Sequence, residues 1–434
     1  MMRESQPIAA TPPMGWNSWD VYGASVTEDE VLENAAYIAA FMRDHGWHYV
    51  VVDIQWYEPT ATSSVYHPFA TLTMDEFSRL LPAVNRFPSA ADGQGFAPLG
   101  AKLHEMGLKF GIHAMRGIPR QAVHQNTALM NTVVRARDIA DSNSICVWNT
   151  DMYGVDAEAA GAQEYYDSVF ALYASWGVDF VKMDDALLPY AEGEIELIRN
   201  AIAQCGRPIV LSLSCGPLDL SHADHVRAHA DMWRMTGDFW DSWHDLVGMF
   251  EFCHAWTAYA GNGHWPDADM LPVGELALRS TEHGVGHRWT RLTKDEQLTM
   301  LTLWCIFRSP LMVGCNLPAN DEWTLNLLTN SEVLEVHQTS NSGHQAFRRG
   351  TTVVWVAEGA ESDSSYLAVF NLGFDATRVA VRLFDVGLPA AVELRDLWSH
   401  EELGVVVRQF AVDVPSHGTR LLKVSRTANT TATS

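Results

Sequence analysis

The sequence predicts a (β/α)8 barrel followed by a small antiparallel β-sandwich. In the first part of the 434-residue chain, short apolar runs alternate with helical patterns. This is typical of parallel strands that are covered on both faces by helices. Beyond about residue 336 the segments become short and β-branched, with Gly, Asp, Ser or Pro between them, as in a β-sandwich. We therefore expect a barrel over residues 8–335 and a sandwich over residues 336–426.

The strand candidates of the first part carry their polar residues at one end. They are HYVVVDI (48–54), LKFGIHA (108–114), VDFVKMD (178–184), PIVLSLS (208–214), ADMWRMT (230–236) and SPLMVG (309–314). Helical patterns cover 28–45, 162–176, 192–204 and 294–307. A doubly wound sheet would show the same alternation, but a barrel gathers the carboxyl ends of its strands around one mouth. The polar residues at or just beyond those ends are Asp53, Lys182, Asp184, Ser212, Ser214, Arg234 and Asp238.

Composition limits the possible partners. The formal net charge is −24, which disfavours nucleic acid and anionic membranes and leaves a neutral oligosaccharide or glycoside as a suitable substrate. The chain has neither an apolar run of about 18 residues nor a signal-peptide core at its N-terminus, so a cytoplasmic location is expected. A mature secreted chain would carry the same features, and the oligomeric state is left open.

Two carboxylates stand out because their surroundings differ. In VDFVKMDDAL, period-2 alternation places Lys182 and Asp184 on one face and Asp185 on the other. A neighbouring lysine favours an ionised aspartate, which suits a nucleophile, although a structural ion pair is an equal alternative. In MWRMTGDFWDSW, Asp238 is surrounded by aromatic residues, and we expect it to be poorly solvated and protonated. Asp241 is expected to cap the next helix.

One ionised and one protonated carboxyl group are what a retaining glycosidase requires, with the two groups about 5–5.5 Å apart. A catalytic metal is the rival use of such acids. His113, His264, Asp267 and Asp269 are not spaced as a metal cage. No metal or other cofactor is therefore expected.

Several segments in chain order resemble glycoside hydrolase family 27, the family of α-galactosidases. They are TPPMGWNSWD (11–20), GLKFGIH (107–113), WGVDFVKMD (176–184), WRMTGD (233–238), HWPDADML (264–271), TLWCIFRSPLMVG (302–314) and LTNSEVLEVHQ (328–338). The resemblance implies that Asp184 is the nucleophile and Asp238 the proton donor. It also implies that Lys182, Arg234 and Asp269 contact the sugar.

The sequence departs from the family pattern at positions that bear on the substrate. VVDIQWYEP keeps Asp53 but has Ile54 where the family has a second aspartate that holds a sugar hydroxyl. SLSCGP (212–217) lacks a glutamate of the family, and HAMRGIPRQAV (113–123) adds Arg116 and Arg120. Each lost hydrogen bond is worth about 1–3 kcal/mol, enough to alter sugar preference.

The hypothesis is a retaining exo-glycosidase that releases terminal α-D-galactose. Isomaltose-type α-glucans and β-L-arabinopyranosides are alternative substrates, and a non-catalytic carbohydrate-binding barrel or a metal-dependent hydrolase are alternative classes. We expect Trp16 to form an apolar wall for the sugar and Ser214 to lie in the pocket. Outer hydroxyls are assigned to Asp53 and Trp56, and leaving-group contacts to His113 and Arg116.

Overall fold

A computed structural model describes residues 7–281 and 285–427. Eight parallel strands form the first sheet, in the order β7-β6-β5-β4-β3-β2-β1-β8. Beyond the end of β7, Leu271 forms a parallel bridge with Val313 of β8, which brings the two edges of the sheet together. The predicted barrel is thereby confirmed. Its strands are β1 Met14–Asn17, β2 Tyr49–Val52, β3 Lys109–Met115, β4 Phe180–Asp184, β5 Val210–Leu213, β6 Met232–Arg234, β7 Trp265–Asp267 and β8 Leu311–Val313.

The four predicted helices are present, and the first is shorter than expected by four residues. The helix beginning at Glu28 ends at Phe41, before a 3-10 turn over Arg43–His45 that stops at Gly46. Gly46 has a φ of 96°, the left-handed conformation that commonly ends a helix. The helices of the described residues are α1 Trp19–Tyr22, α2 Glu28–Phe41, α3 Ala97–Glu105, α4 Arg120–Gln125, α5 Ala136–Ile139, α6 Ala162–Ser175, α7 Glu192–Gln204, α8 Ala223–His229, α9 Trp243–Trp256, α10 Lys294–Phe307, α11 Glu322–Thr329 and α12 Ser331–Thr339.

The barrel strands bury both of their faces. In β4, Phe180 belongs to an apolar cluster inside the barrel, whereas Val181 and Met183 pack in the larger core between the strands and the helices. Because side chains alternate along a strand, Lys182 and Asp184 share the inner face with Phe180. This strand is therefore apolar where it forms the wall and polar where the wall reaches the mouth.

Long excursions follow β2 and β3 on the side of the mouth. The second excursion contains a small antiparallel sheet made of Ile118–Pro119, Ala140–Ile145 and Met152–Val155. A two-stranded ladder pairs Glu275–Leu276 with Arg288–Trp289. These segments bring additional side chains to the carboxyl ends of the strands.

The C-terminal part is antiparallel and has two faces. Along β10, Val354 and Val356 belong to a core of this part alone, whereas Val353, Trp355 and Ala357 belong to the core shared with the barrel. The predicted β-sandwich is confirmed, and its strand order is β9-β10-β11-β16-β13-β14-β15-β12. The strands are β9 Asn341–Arg349, β10 Thr352–Glu358, β11 Ser364–Asn371, β12 Thr377–Arg382, β13 Ala391–Asp396, β14 Glu401–Val407, β15 Gln409–Val414 and β16 Thr419–Arg426.

Aromatic rings join the two parts. Phe307 of α10 packs edge-on against Trp355 with ring centroids 6.2 Å apart, and Phe250 of α9 packs against Phe370 at 4.9 Å. Among the described residues, no helix is both long enough and apolar enough to cross a membrane. The cytoplasmic location stays a prediction, and residues 1–6, on which it partly depends, lie outside the described residues.

Candidate active site

A cavity of about 290 Å³ lies at the carboxyl ends of the barrel strands. This is close to the lower end of the range for small-molecule sites, which is about 300–1,000 Å³. Carboxylates, two cations and aromatic rings converge on it, so it has the size and chemistry for a single polar ring. It is lined by Trp19, Asp20, Asp53, Ile54, Tyr66, Trp148, Lys182, Asp184, Ser214, Cys215, Arg234, Asp238, Phe239, Trp240, Asp269 and Met270.

Asp184, at the end of β4, is 8% exposed and fixed on both carboxylate oxygens. Its Oδ2 accepts a hydrogen bond from Nε2 of His113 at 3.0 Å, and its Oδ1 accepts one from the backbone N–H of Asp185 at 2.9 Å. Burial alone would raise the pKa of Asp184, but the hydrogen bond and charge of His113 and the charge of Lys182 outweigh it. The pKa therefore lies well below its ordinary value, and the carboxylate is ionised at neutral pH.

Lys182 and Asp53 form an ion pair of 2.9 Å at the mouth. Asn17 donates a second hydrogen bond to the same Asp53 oxygen at 2.7 Å. Burial opposes the charge of each partner, yet the pKa of Asp53 is lowered and that of Lys182 is raised because each stabilises the charged form of the other. Two ionised groups are thus held facing the cavity.

Arg234, at the end of β6, is shared by two carboxylates. Its guanidinium lies 2.9 Å from Asp238 and 2.6 Å from Asp269. Asp269 has a φ of 80°, and its Oδ2 accepts a hydrogen bond from the backbone N–H of Phe239 at 2.7 Å. The arginine therefore connects the segment after β6 to the segment after β7.

The expectation that aromatic residues enclose Asp238 is wrong, because its side chain is 63% exposed. Phe239 packs against Trp304 with ring centroids 5.2 Å apart, and Trp243 stacks on His417 at 3.9 Å. Phe239 and Trp240 line the cavity together with Asp238, but the flanking rings leave its carboxyl group largely exposed. Asp238 lines the cavity and also reaches solvent.

Asp241 does not cap the next helix. Ser242 is the N-cap of α9, and its side chain accepts a hydrogen bond from the backbone N–H of Asp245. The buried carboxylate of Asp241 instead pairs with Arg288 at 2.6 Å. It therefore ties the loop after β6 to the short ladder that contains Arg288.

Two of the predicted tryptophans lie in the core and do not line the cavity. Trp16 is 0% exposed and its Nε1 donates to the carbonyl of Cys315. Trp56, also 0% exposed, donates its Nε1–H to the carbonyl of His113, and the residue before it, Gln55, has a φ of 63°. Alternation along β1 turns Asn17 inward and Trp16 outward, so the same period-2 rule applied to MGWN would have shown this.

Besides Phe239 and Trp240, the cavity is lined by aromatic residues that sequence reasoning did not identify, among them Trp19 and Trp148. Trp19 is the first residue of α1, just past the carboxyl end of β1, and its ring stacks on Tyr66 with centroids 5.9 Å apart. Trp148 contacts Tyr66 from the excursion after β3. The rule that strand ends surround the mouth could have indicated Trp19. Nothing in the local sequence indicates Trp148.

His113 and Arg116 also lie behind the cavity lining. His113 is 0% exposed, contacts the candidate nucleophile Asp184 and does not line the cavity. Arg116 is 2% exposed and pairs with Asp185 at 3.1 Å and with Glu194 at 2.8 Å. These partners make Arg116 a structural cation, and they confirm that Asp185 lies apart from Asp184. Ser214 lines the cavity as predicted.

Asp20 is a cavity residue that the sequence did not reveal. It is 3% exposed, and its Oδ2 has no hydrogen-bond partner among the described residues. Burial, followed by the nearby charge of Asp269, raises the pKa of Asp20 well above its ordinary value. Gly314 leaves room for this carboxyl group, because a Cβ there would lie 2.2 Å from its Oδ2. The surroundings of Asp20 thus favour the protonated form of its carboxyl group.

Buried acids of this kind make folding depend on pH. Burial raises the pKa of Asp267 from 3.8 to about 7, so the folded state keeps a proton that the unfolded state has lost. Since the folded state then binds more protons, stability falls as pH rises from about 4 to about 7. Replacing Asp267 with Asn is expected to remove part of that fall, on the order of a few kcal/mol. Urea unfolding across this pH range measures it.

The matched control for that measurement is Asp224→Asn, a substitution of an exposed aspartate on α8. It should leave the pH dependence of the unfolding free energy as in the wild type. If Asp267→Asn gives the same slope as Asp224→Asn, Asp267 is not the group that holds the proton.

Two protein-family models match the chain. The model described as alpha galactosidase A matches residues 152–339, which include both candidate catalytic carboxylates. The model described as the alpha galactosidase C-terminal beta sandwich domain matches residues 349–424. The matched regions correspond to the second half of the barrel and to the sandwich.

Similar proteins cover nearly the whole chain. A family 27 β-L-arabinopyranosidase from Geobacillus stearothermophilus is 58% identical, with a TM-score of 0.96, over 97% of this chain and 98% of that one. An α-galactosidase from Coffea arabica is 27% identical over 95% of this chain and 93% of its own length. One from Cyamopsis tetragonoloba is 26% identical over 95% and 86%. The chain belongs to glycoside hydrolase family 27, and it is a glycoside hydrolase of the α-galactosidase type, as the sequence predicts.

Proposed function

We propose that the chain is a retaining exo-glycosidase that hydrolyses terminal galacto-configured pyranosides, namely α-D-galactosides and β-L-arabinopyranosides. The observation that carries the proposal is one ionised, rigidly held aspartate and one solvent-reaching aspartate on the same small cavity. A retaining glycosidase needs a nucleophile and a separate acid/base on either side of the anomeric carbon. The small cavity supports release of a single terminal sugar.

In the proposed reaction, Asp184 attacks the anomeric carbon. A bond forms between one carboxylate oxygen and C1, and the bond from C1 to the leaving oxygen breaks as Asp238 gives that oxygen a proton. Asp238 then takes a proton from water, which attacks C1 and returns the electron pair to Asp184. His113 positions the nucleophile, since it contacts Asp184 and does not line the cavity.

The charged groups of the cavity suit the hydroxyls of a neutral sugar. Lys182 can donate to them, and Asp53 and Asp269 can accept from them. Trp19 and Trp148 offer flat apolar faces for the ring carbons. The roles of Lys182 and Asp269 agree with those that the resemblance implies.

Ile54 favours the sugar that lacks an exocyclic hydroxymethyl group. β-L-Arabinopyranose has the ring configuration of α-D-galactopyranose but carries no C6. Ile54 lines the cavity, is 2% exposed and offers no hydrogen-bond acceptor where the family pattern has an aspartate. A substrate with one hydroxyl fewer loses less hydrogen bonding when isoleucine stands in place of that aspartate. The 58% identical relative is a β-L-arabinopyranosidase, which supports the same choice.

A panel of p-nitrophenyl glycosides tests the proposal. We expect kcat/KM to be highest on the β-L-arabinopyranoside, lower on the α-D-galactoside and negligible on the α-D-glucoside. NMR of the first product should show the anomeric configuration of the substrate. Preference for the α-glucoside would indicate an isomaltose-type enzyme, and no turnover of any member would indicate a carbohydrate-binding barrel.

Ile54→Asp is expected to shift preference toward α-D-galactoside by roughly 10- to 100-fold in the ratio of kcat/KM values, the effect of one or two hydrogen bonds to a hydroxyl. The ratio is measured with the two aryl glycosides in parallel. Ile54→Val is the matched control, since it keeps an apolar side chain and should keep the wild-type preference. An unchanged ratio in Ile54→Asp would show that position 54 does not read the sugar.

A further inference from the structure

A second group of chemistry-bearing side chains lies between helices α7 and α8. Glu192 and Glu196 are one turn apart on α7, and His225 and His229 are one turn apart on α8. Nε2 of His225 lies 3.4 Å from Glu196 and 3.8 Å from Glu192. One possible ligand atom from each of Glu196, His225 and His229 lies within 4.8 Å of the others. We call these four residues the helix-pair cluster.

Both imidazole rings are held by their other nitrogen. Nδ1 of His225 lies 2.6 Å from the hydroxyl of Tyr190. Nδ1 of His229 lies 2.8 Å from the carbonyl of His225, so that nitrogen carries the hydrogen and donates it. Nε2 of His229 is then the nitrogen that is left to bind a metal. In metal sites, hydrogen bonds made by the ring nitrogen that does not bind the metal orient the histidine ligands.

We propose that the helix-pair cluster is a Zn²⁺ site, with His225, His229 and Glu196 as ligands and Glu192 as a fourth. Zn²⁺ binds nitrogen at about 2.0–2.1 Å and carboxylate oxygen at about 2.0–2.2 Å, in a tetrahedron. Ligand atoms must then be somewhat closer together than they are now. The glutamate side chains are 61% and 52% exposed and can make that adjustment by rotation.

A simple ion pair explains less of this arrangement than a metal site does. A contact between His225 and Glu196 would need neither the second histidine nor the second glutamate. The rings of His225 and His229 instead stack, with centroids 4.2 Å apart and planes inclined by 25°. Glu196, His225 and His229 therefore offer two nitrogens and one carboxylate to a single ion, and Glu192 lies 3.8 Å from Nε2 of His225.

The proposed site is separate from the sugar cavity, since none of its four residues lines that cavity. Its effect would be on stability. Tyr190 lies in the segment that leads from β4 to α7, and its contact with His225 ties that segment to α8. A bound ion would link α7, α8 and this segment, and a ligand that binds only the folded state raises the unfolding temperature.

Calorimetric titration of the tag-free, full-length chain with ZnCl₂ tests the proposal. We expect one saturable site per chain and a rise in unfolding temperature when Zn²⁺ is added. His229→Ala and Glu196→Gln should each weaken binding roughly tenfold or more and abolish the rise. His124→Ala, which removes an exposed histidine on α4, is the matched control and should bind Zn²⁺ as the wild type does.

Assays of glycoside hydrolysis distinguish a failure of the Zn²⁺ proposal from a failure of the proposed function. Glu196→Gln should keep wild-type hydrolysis of the aryl glycosides without Zn²⁺, whatever sugar is preferred. The proposal is overturned if the wild type shows no saturable site. It is equally overturned if His229→Ala or Glu196→Gln, folded by circular dichroism, binds Zn²⁺ with wild-type affinity.

Discussion

Asp184→Asn is expected to lower turnover by roughly 10⁴-fold or more, the usual scale for removing a nucleophile. The amide cannot form the glycosyl ester, yet it keeps the size of the carboxylate and one oxygen that can accept from His113. Sugar binding should therefore change little. Stopped assays with the aryl glycosides give turnover, and calorimetry with L-arabinose or D-galactose gives affinity.

The neighbouring aspartate provides the matched control. Asp185→Asn makes the same chemical change one residue along the chain, but this carboxylate faces Arg116 and not the cavity. Turnover should stay within about tenfold of the wild type, while the free energy of unfolding falls because a buried ion pair is broken. Full activity in Asp184→Asn, or equal losses in the two variants, would refute the assignment of the nucleophile.

Asp238→Ala is expected to lower kcat/KM by about 10²–10⁴-fold on substrates with a poor leaving group, such as methyl glycosides. A 2,4-dinitrophenyl leaving group needs no proton, so formation of the glycosyl-enzyme should then be nearly normal and its hydrolysis slow. A burst of dinitrophenolate followed by slow turnover is the expected trace. A uniform loss on all leaving groups would assign Asp238 to sugar binding instead.

Azide provides a second measurement on the same residues. In Asp238→Ala the anion can enter the vacated space, attack C1 of the glycosyl-enzyme and release a glycosyl azide with the configuration of the substrate. In Asp184→Ala, azide would replace the nucleophile and give the opposite anomer. NMR of the two products distinguishes the roles. The same anomer from both variants would contradict the assignment.

The parts of the site that depend on strand periodicity could be predicted from the sequence. The separation of Asp184 from Asp185 followed from a side-chain period of two. The gathering of Asp53, Lys182 and Arg234 at one mouth followed from the barrel topology. Both rules act within a strand or between neighbouring strands, so they do not need the packing of the rest of the chain.

The remaining features depend on contacts between distant segments. Trp265–Asp267 forms a barrel strand, although it has three residues and a proline in the middle, because β6 provides its partner. Two aromatic residues near Asp238, Phe239 and Trp243, pack on Trp304 and His417, which are distant in the sequence. The exposure of Asp238 depends on these contacts. Local sequence could not predict either outcome.

The core shared by the barrel and the sandwich has a consequence for how this chain can be divided. Trp355 and Phe370 cover Phe307 and Phe250 on the outside of the barrel helices. Truncation after residue 335 would leave those rings in water as part of a contiguous apolar surface, which promotes self-association. The sandwich therefore covers an apolar surface of the catalytic part, and the two are best expressed and engineered as one unit.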